Sequence, residues 1–432
     1  MKVFKFGGAS AKDPEGLKNI TEIIKTYGAS DSLVVVISAI GKTTNALEDV
    51  VHAKIQDKNK AFELLLKIRQ SHENYIQNLF LELPELLMED INEHFVEVEW
   101  IIEEDREMSY DYMYDQIVSI GELISSRILY HWLLSIDIKA AWIDAREIIR
   151  TDDTWREGRI QWNVTNQQIQ DALIPLLNEG KMIVTQGFIG STMENNTVTL
   201  GREGSDYTAA ILSSALAVKS MTIWKDVPGV LTGDPKTFEN VTKLDRLSYT
   251  EAIEMTYYGA KVIHPKTIQP LENAQIPLYV KSFIHPTQSG TYISGDPDPE
   301  YPPIVVLEPN QALVHFSSKD LSFIAEYHLA KLFSLFDRFR IRVNMMRNTA
   351  ISFTICTQHD EFKLNQLFEE LHDEFRIVVD PELELYTIRH YNEYMLPELF
   401  KGKLILLEEK IRNTVQRVVK TTAPIVHKNK TT

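Results

Sequence analysis

One cysteine, Cys356, stands in 432 residues, so the chain cannot form an internal disulfide. That scarcity fits a reducing compartment. Cys356 follows the alternating run Ile351-Ser352-Phe353-Thr354-Ile355, where a small buried side chain is expected rather than a nucleophile. No apolar run reaches the roughly 20 residues that a membrane-spanning helix needs. The opening Met1-Lys2-Val3-Phe4-Lys5-Phe6-Gly7-Gly8 has too short an apolar stretch for a signal peptide and reads as a first strand. A cytoplasmic location is expected. Basic residues are outnumbered, 45 Lys and Arg against 61 Asp and Glu, for a net charge of −16. Broad nucleic-acid binding is therefore excluded, and any anionic nucleotide needs a locally positive pocket.

Two familiar phosphate motifs are also missing. Gly41-Lys42-Thr43 resembles the end of a P-loop, but Val36 stands where the first glycine is required. No G-x-G-x-x-G follows a strand, which leaves dinucleotide binding without support.

What is present is a chain of ordinary globular composition, 44% hydrophobic and 25% charged, long enough for two or three domains of about 100–200 residues. Val3–Phe6 and the continuous apolar run Leu33–Ile37 read as strands covered on both faces. Between them Asp13-Pro14-Glu15 opens a helix, with Asp13 as cap. Strand, helix and strand at this spacing predict a parallel sheet with helical crossovers. Residues 46–135 are mostly helical. Ile183-Val184 and Met221–Trp224 are further strands, each followed by a glycine-containing turn, where ligands of open α/β sheets gather. The proline-rich stretch 294–303 reads as a linker. Beyond it the pattern predicts strand Gln311–Phe316, helix Ile324–Phe336, and strands Arg340–Asn344 and Ala350–Thr357. A weaker copy follows, with strand Leu383–Ile388, a short helix Tyr394–Phe400, and strands Leu404–Leu407 and Thr414–Val419. The expected boundaries are 1–295 for a first domain, with small βαββ units at 304–378 and 379–422.

Several segments can carry chemistry. In Lys5-Phe6-Gly7-Gly8-Ala9-Ser10 the paired glycines let backbone N–H groups approach an anion, and Lys5 is placed to reach the same anion. A tight turn with a solvated lysine is the competing reading, at about even weight because Gly-Gly turns are common. Gly201-Arg202-Glu203-Gly204-Ser205-Asp206-Tyr207 precedes the helical run Thr208–Ala217. A helix N-terminus attracts anions, Arg202 can hold a carboxylate by parallel hydrogen bonds, and Asp206 can bind an ammonium or a metal. Ser205 or Asp206 can equally be a plain helix cap. Trp224–Val230 with Gly233-Asp234-Pro235-Lys236, and Gly259–Pro265 with Lys261, offer further lysines at turns. Gly121-Glu122 falls in a helical pattern, where an acid is most often part of a solvated face.

Taken in order, Lys5–Ser10, Ser38–Asn45, Gly121–Ser125, Gln186–Gly190, Gly201–Ala209, Trp224–Pro235 and Gly259–Pro265 resemble the aspartate kinases of the amino-acid-kinase family. The resemblance covers roughly the first 290 residues. It implies an αβα sandwich with a mainly parallel sheet, followed by two α+β ACT-like units. It also implies ATP and Mg²⁺ as cofactors, L-aspartate as substrate, 4-phospho-L-aspartate as product, a homodimer or larger homo-oligomer, and lysine or threonine as a possible effector. By the same resemblance Lys5 and Asp206 are catalytic. Thr44, Glu122, Arg202, Ser205 and Asp206 surround aspartate, with Glu122 on its ammonium and Arg202 on its α-carboxylate. Lys5, Gly7, Gly8, Lys225, Asp226, Leu231, Lys236 and Lys261 take the nucleotide. No protein metal ligand is assigned. Asn344 and Thr349 fall near effector positions.

The chain departs from the family pattern at Ala9 (threonine in many members), Glu203 (glycine), Lys225 (a hydroxyl residue), Leu231 (an aromatic) and Lys236 (an arginine). No homoserine dehydrogenase domain follows, so the form is expected to be monofunctional.

The chemistry agrees with these residue types. A β-carboxylate is ionised near pH 7 and serves as its own nucleophile, so no general base is required, and no Ser-His-Asp or Cys-His arrangement is expected. The reaction needs charge neutralisation and alignment of two anions. Two rivals stand beside this reading: a related carboxylate kinase, and a non-catalytic amino-acid sensor on the same fold.

Overall fold

The computed structural model describes residues 1–28, 31–260, 263–296, 300–320 and 322–421. They divide into two compact units. One comprises Met1–Val230, Lys243–Ile253 and Lys261–Pro299; the other comprises Leu231–Thr242, Glu254–Ala260 and Glu300–Thr432.

The first unit is built on an eight-stranded sheet. Its strands are β1 (Lys2–Phe6), β2 (Leu33–Ile37), β3 (Ala140–Ile143), β4 (Met182–Gln186), β7 (Ser220–Lys225), β8 (Arg246–Ser248), β9 (Leu278–Ser282) and β10 (Thr291–Ser294), in the order β3-β4-β2-β1-β7-β9-β10-β8. The strands from β3 to β9 are mutually parallel, and β10 runs against β9. A separate hairpin pairs β5 (Ile189–Ser191) with β6 (Thr197–Thr199).

Parallel strands covered on both faces read as unbroken apolar runs, and every residue of β2 is buried. Asp13 caps the Pro14–Ile23 helix as expected, its carboxylate accepting from Gly16 N at 2.8 Å. The block from 43 to 135 forms helices Thr43–Gln56, Lys58–Leu79, Glu85–Glu103, Tyr110–Val118 and Ile120–Ser135. Leu47, Leu65, Ile76, Phe95, Ile117 and Ile124 join Phe4, Phe6 and Val35 of the sheet in one core. Each such side chain contributes about 1.5–3 kcal/mol by leaving water.

The second unit carries one six-stranded antiparallel sheet. Its strands are β11 (Ile304–Ser318), β12 (Met345–Asn348), β13 (Ser352–Gln358), β14 (Phe375–Arg389), β15 (Lys403–Ile411) and β16 (Thr414–Thr421), in the order β12-β13-β11-β14-β16-β15. β11 and β14 pair along nearly their whole length, with register shifts near Glu308–Leu313. One half of the pair continues into β13 and β12 and the other into β16 and β15. The expected boundary at 378–379 thus falls inside β14.

Residues 231–242 and 254–260 belong to this unit. Val305 N donates to Thr232 O at 2.7 Å, the Arg389 guanidinium pairs with Glu254 at 2.9 Å, and Arg342 donates to Tyr257 O.

Two expectations in this region need correction. The predicted strand Arg340–Asn344 is irregular, with Arg340 at φ 51°, and the strand begins at Met345. A helix at Glu361–Leu371, which buries Leu364, Leu367 and Leu371, was not anticipated. Cys356 is buried in β13, and burial pushes its thiol up to about 12. No helix among the described residues is long and apolar enough to cross a membrane.

Candidate functional site

Side chains alternate between the faces of a strand. Phe4 and Phe6 of β1 face the helical core described above, so Lys5 points to the opposite face. The Gly204–Ala215 helix covers that face. Its N-terminus lies at the carboxyl ends of the parallel strands, because Asp206 in its first turn meets Lys5. The distance from Lys5 Nζ to Asp206 Oδ1 is 2.7 Å, and Lys225 Nζ, at the end of β7, lies 3.5 Å from Asp206 Oδ2. Asp206 is 2% exposed. Burial opposes its ionisation, but Lys5 and Lys225 outweigh that penalty and hold the carboxyl below its ordinary value. The result is an ionised cluster of Lys5, Asp206 and Lys225 beside a helix N-terminus. Such a place attracts an anion.

The loops after β1, β2 and β4 close around the same edge. Gly8 is pressed against the loop that follows β2. A Cβ there would lie 2.5 Å from Ala39 O, and Gly41 N donates to Gly8 O at 3.0 Å. Gly187, after β4, touches Ser205, where a Cβ would lie 2.3 Å from the Ser205 Cβ. Phe188 N donates to Thr208 Oγ1 at 3.0 Å, tying this turn to the helix. Thr44 is half-buried in the first turn of Thr43–Gln56, and Gly7 and Ser10 close a turn through Ser10 N and Gly7 O at 2.9 Å.

Glu122 differs most from the plain expectation of a solvated acid. It is 3% exposed, because the Ile120–Ser135 helix is buried nearly all round at its start. Its Oε1 accepts from Ala39 N at 3.3 Å, while its Oε2 is buried without a hydrogen-bond partner. Burial pushes this carboxyl up to about 8, against the pull of the Ala39 N–H and of Lys5. A buried acceptor oxygen with no protein donor is suited to receive a cationic donor.

Around Gly201–Asp206 the departure at Glu203 has a conformational meaning. Glu203 sits at φ 54° as the N-cap of the Gly204–Ala215 helix and makes no side-chain cap bond. Ser205 and Asp206 lie inside the first turn, so neither is the cap. A left-handed backbone favours glycine, and Glu203 also buries Oε2 without a partner. Replacing Glu203 with glycine is expected to raise the unfolding midpoint, by about 0.5–1 kcal/mol for the backbone relief alone. Denaturant titration checks this, and a lower midpoint would contradict it. Arg202 is exposed on the same turn.

The contacts above bring Lys5, Gly8, Ser205, Asp206 and Lys225 together at the strand ends, with Glu122 reaching the same loops from its helix. Gly7 and Thr44 lie on the adjoining loop and helix, and Arg202 and Asp226 are exposed on neighbouring turns. Leu231 and the exposed Lys236 are counted in the second unit. Lys261 lies outside the described residues. Sequence reasoning passed over Asp115, Arg156 and Glu48, which meet through Arg156, whose carbonyl abuts Gly201, and which belong to no local motif.

A model of the amino acid kinase family matches residues 1–282. The chain is 32% identical over 398 residues to lysine-sensitive aspartokinase 3 of Escherichia coli (strain K12), covering 89% of this chain and 86% of that one. It is 30% identical to chloroplastic aspartokinase 1 of Arabidopsis thaliana, covering 94% of this chain and 69% of the relative. Among solved structures, E. coli aspartokinase III in complex with aspartate and ADP superposes with a TM-score of 0.84 at 28% identity, covering 97% of this chain and 96% of that one. Its complex with lysine and aspartate gives 0.79 at the same identity.

Proposed function

The chain belongs to the aspartokinases of the amino acid kinase family, and from that premise we propose that it transfers the γ-phosphoryl group of ATP to the β-carboxylate of L-aspartate, giving 4-phospho-L-aspartate and ADP. The observation that carries the reading is the Lys5–Asp206–Lys225 cluster beside the unpartnered Oε2 of Glu122. Phosphoryl transfer to a carboxylate brings two anions together, and its catalysis is positioning plus charge stabilisation. Lys5 neutralises the transferring phosphoryl group, and Asp206 holds Lys5 in place. Gly7 and Gly8 offer backbone N–H groups to the phosphates, and Lys225 with Asp226 extends the nucleotide side. On the acceptor side Glu122 takes the substrate ammonium, Arg202 takes the α-carboxylate, and Thr44 and Ser205 complete the pocket. Leu231, Lys236 and Lys261 are assigned to the nucleotide by resemblance alone.

Among the described residues no group of three or more His, Cys, Asp or Glu side chains could hold a metal ion. Mg²⁺ is usually held by one or two carboxylates with substrate phosphates and water. The exposed Asp226 would serve as such a carboxylate, whereas both oxygens of Asp206 already face Lys5 and Lys225. Bound there, the ion would neutralise charge on the phosphates.

We assign catalysis to residues 1–295 and the effector response to the β11–β16 sheet, whose two ACT-like halves, joined through β11 and β14, would respond to an end-product amino acid such as lysine or threonine, near Asn344 and Thr349. A homodimer in the cytoplasm completes the proposal. The test is ADP release in a coupled assay with aspartate, glutamate or acetylglutamate, with and without lysine or threonine. Turnover of aspartate is expected. Activity only on the other two acids, or none at all, would reject the assignment.

A further inference from the structure

The loop between Thr151 and Ile160, which pair in an antiparallel bridge, is fastened at several points to elements that carry the acceptor pocket. Arg156 N donates to Asp115 Oδ2 at 2.8 Å, and Thr199 Oγ1 donates to Asp115 Oδ1 at 2.6 Å. Asp115 is fully buried in the Tyr110–Val118 helix. Gly158 N donates to Thr199 O at 3.0 Å. The Arg156 guanidinium lies 4.2 Å from the Tyr114 ring centre and 5.5 Å from that of Tyr110. It also sits 3.5 Å from Glu48, one turn beyond Thr44 on its helix, and 3.5 Å from Asp111. At the other end the loop abuts the turn bearing Arg202, because a Cβ on Gly201 would lie 3.1 Å from Arg156 O. Arg156 holds φ 68° in this arrangement. A non-glycine residue keeps such a backbone only where its surroundings over-determine it.

We propose that Asp115 and Arg156 form a strap that sets the Gly201–Ser205 turn against the Thr43–Gln56 helix, making both of them positioning residues for the amino-acid substrate. The inference rests on the aspartate kinase reading. The buried Asp115 carboxylate fixes the loop backbone, and the Arg156 side chain draws in the helix that carries Thr44. None of the strap's contacts named above involves Lys225 or Asp226, so the strap tunes the acceptor side and leaves the nucleotide side alone.

Three variants test this by a split in Michaelis constants. Arg156→Gly keeps the loop backbone, since glycine adopts φ 68° freely, and removes the side chain with its guanidinium contacts. It is expected to raise KM for aspartate about tenfold while KM for ATP stays within about twofold. Asp115→Ala is expected to raise KM for aspartate further. Asp115→Asn is expected to raise KM for aspartate less than Arg156→Gly does, because its amide oxygen still accepts from Arg156 N and its NH₂ can donate to the Thr199 hydroxyl, while only the bond from the Thr199 backbone N–H is lost. If Asp115→Ala fails to fold, the other two variants decide. An unmoved KM for aspartate in Arg156→Gly, or equal rises for both substrates, overturns the strap. So does an Asp115→Asn enzyme with a KM for aspartate raised as far as in Arg156→Gly. Wild-type turnover of aspartate is measured in parallel. Its absence rejects the underlying reading, whereas its presence with unmoved constants rejects the strap alone.

Discussion

Lys5→Ala is expected to lower turnover of aspartate by about 10²–10³-fold, the scale of removing one preorganised charge-stabilising donor, while the chain stays folded. Lys5 Nζ is 2.7 Å from a buried carboxylate at the strand ends and is the charge best placed to meet a transferring phosphoryl group. Truncating one member of a buried ion pair costs about 3–5 kcal/mol when the other is left alone. Here Lys225 remains 3.5 Å from Asp206, so the loss of stability should be about 1–3 kcal/mol, the cost of a partly satisfied buried group. Circular dichroism and a denaturant midpoint measure the fold, and ADP release measures the reaction. An unchanged rate in a folded variant would refute the role of Lys5.

The second large effect is a pH dependence of aspartate binding. Glu122 is buried, offers one oxygen without a hydrogen-bond partner, and burial pushes its carboxyl up to about 8. Near pH 7 it is mostly protonated, yet a substrate ammonium pairs with the carboxylate. Binding must therefore expel a proton, and KM for aspartate should fall as pH rises toward 8, by up to about tenfold per pH unit below that value. The binding heat should also change with the ionisation enthalpy of the buffer. A KM that is flat between pH 6 and 8 would defeat the assignment. Glu122→Gln should abolish this slope and raise KM strongly, by about 10²-fold or more, since a buried charge-assisted contact is lost.

The same group acts on stability with a definite sign. Its folded value lies above its ordinary one of 4.5. The native state then binds more protons than the unfolded state between about 4.5 and 8, and stability falls as pH rises through that window. Lys5 from β1 and Tyr114 from the neighbouring helix are the titratable groups coupled to Glu122. Tyr114 is pushed up to about 12, chiefly by burial, and stays neutral throughout.

The parts of this architecture that the sequence made legible were those with local causes. Leu33–Ile37 has no polar residue to expose, and Asp13-Pro14 has the residue types favoured at a helix start, so β2 and the first helix were readable. Lys5 with Gly7-Gly8, and Ser205-Asp206 ahead of a helical run, are short motifs whose residue types match their task. Glu122 was ambiguous because its burial is decided by helices remote in sequence. The strap was invisible, since Asp115, Arg156 and Thr199 meet only after folding. In the second unit the strand predicted over Arg340–Asn344 starts too early. The residue pairs with β13 begin at Met345, and the first backbone bond to it comes from Asn344 N to Cys356 O at 2.8 Å. Leu231 and Lys236 follow the fold of a unit assembled mainly from residues far along the chain.

The long β11–β14 ribbon has a mechanical consequence. Because the same two strands serve as the middle of both halves of their sheet, the halves share a spine and cannot be loosened one at a time. An amino acid that stiffened one leaf would be felt in the other through continuous backbone, with no separate relay of side chains. Cutting the chain at residue 378 would sever that spine rather than free an autonomous module.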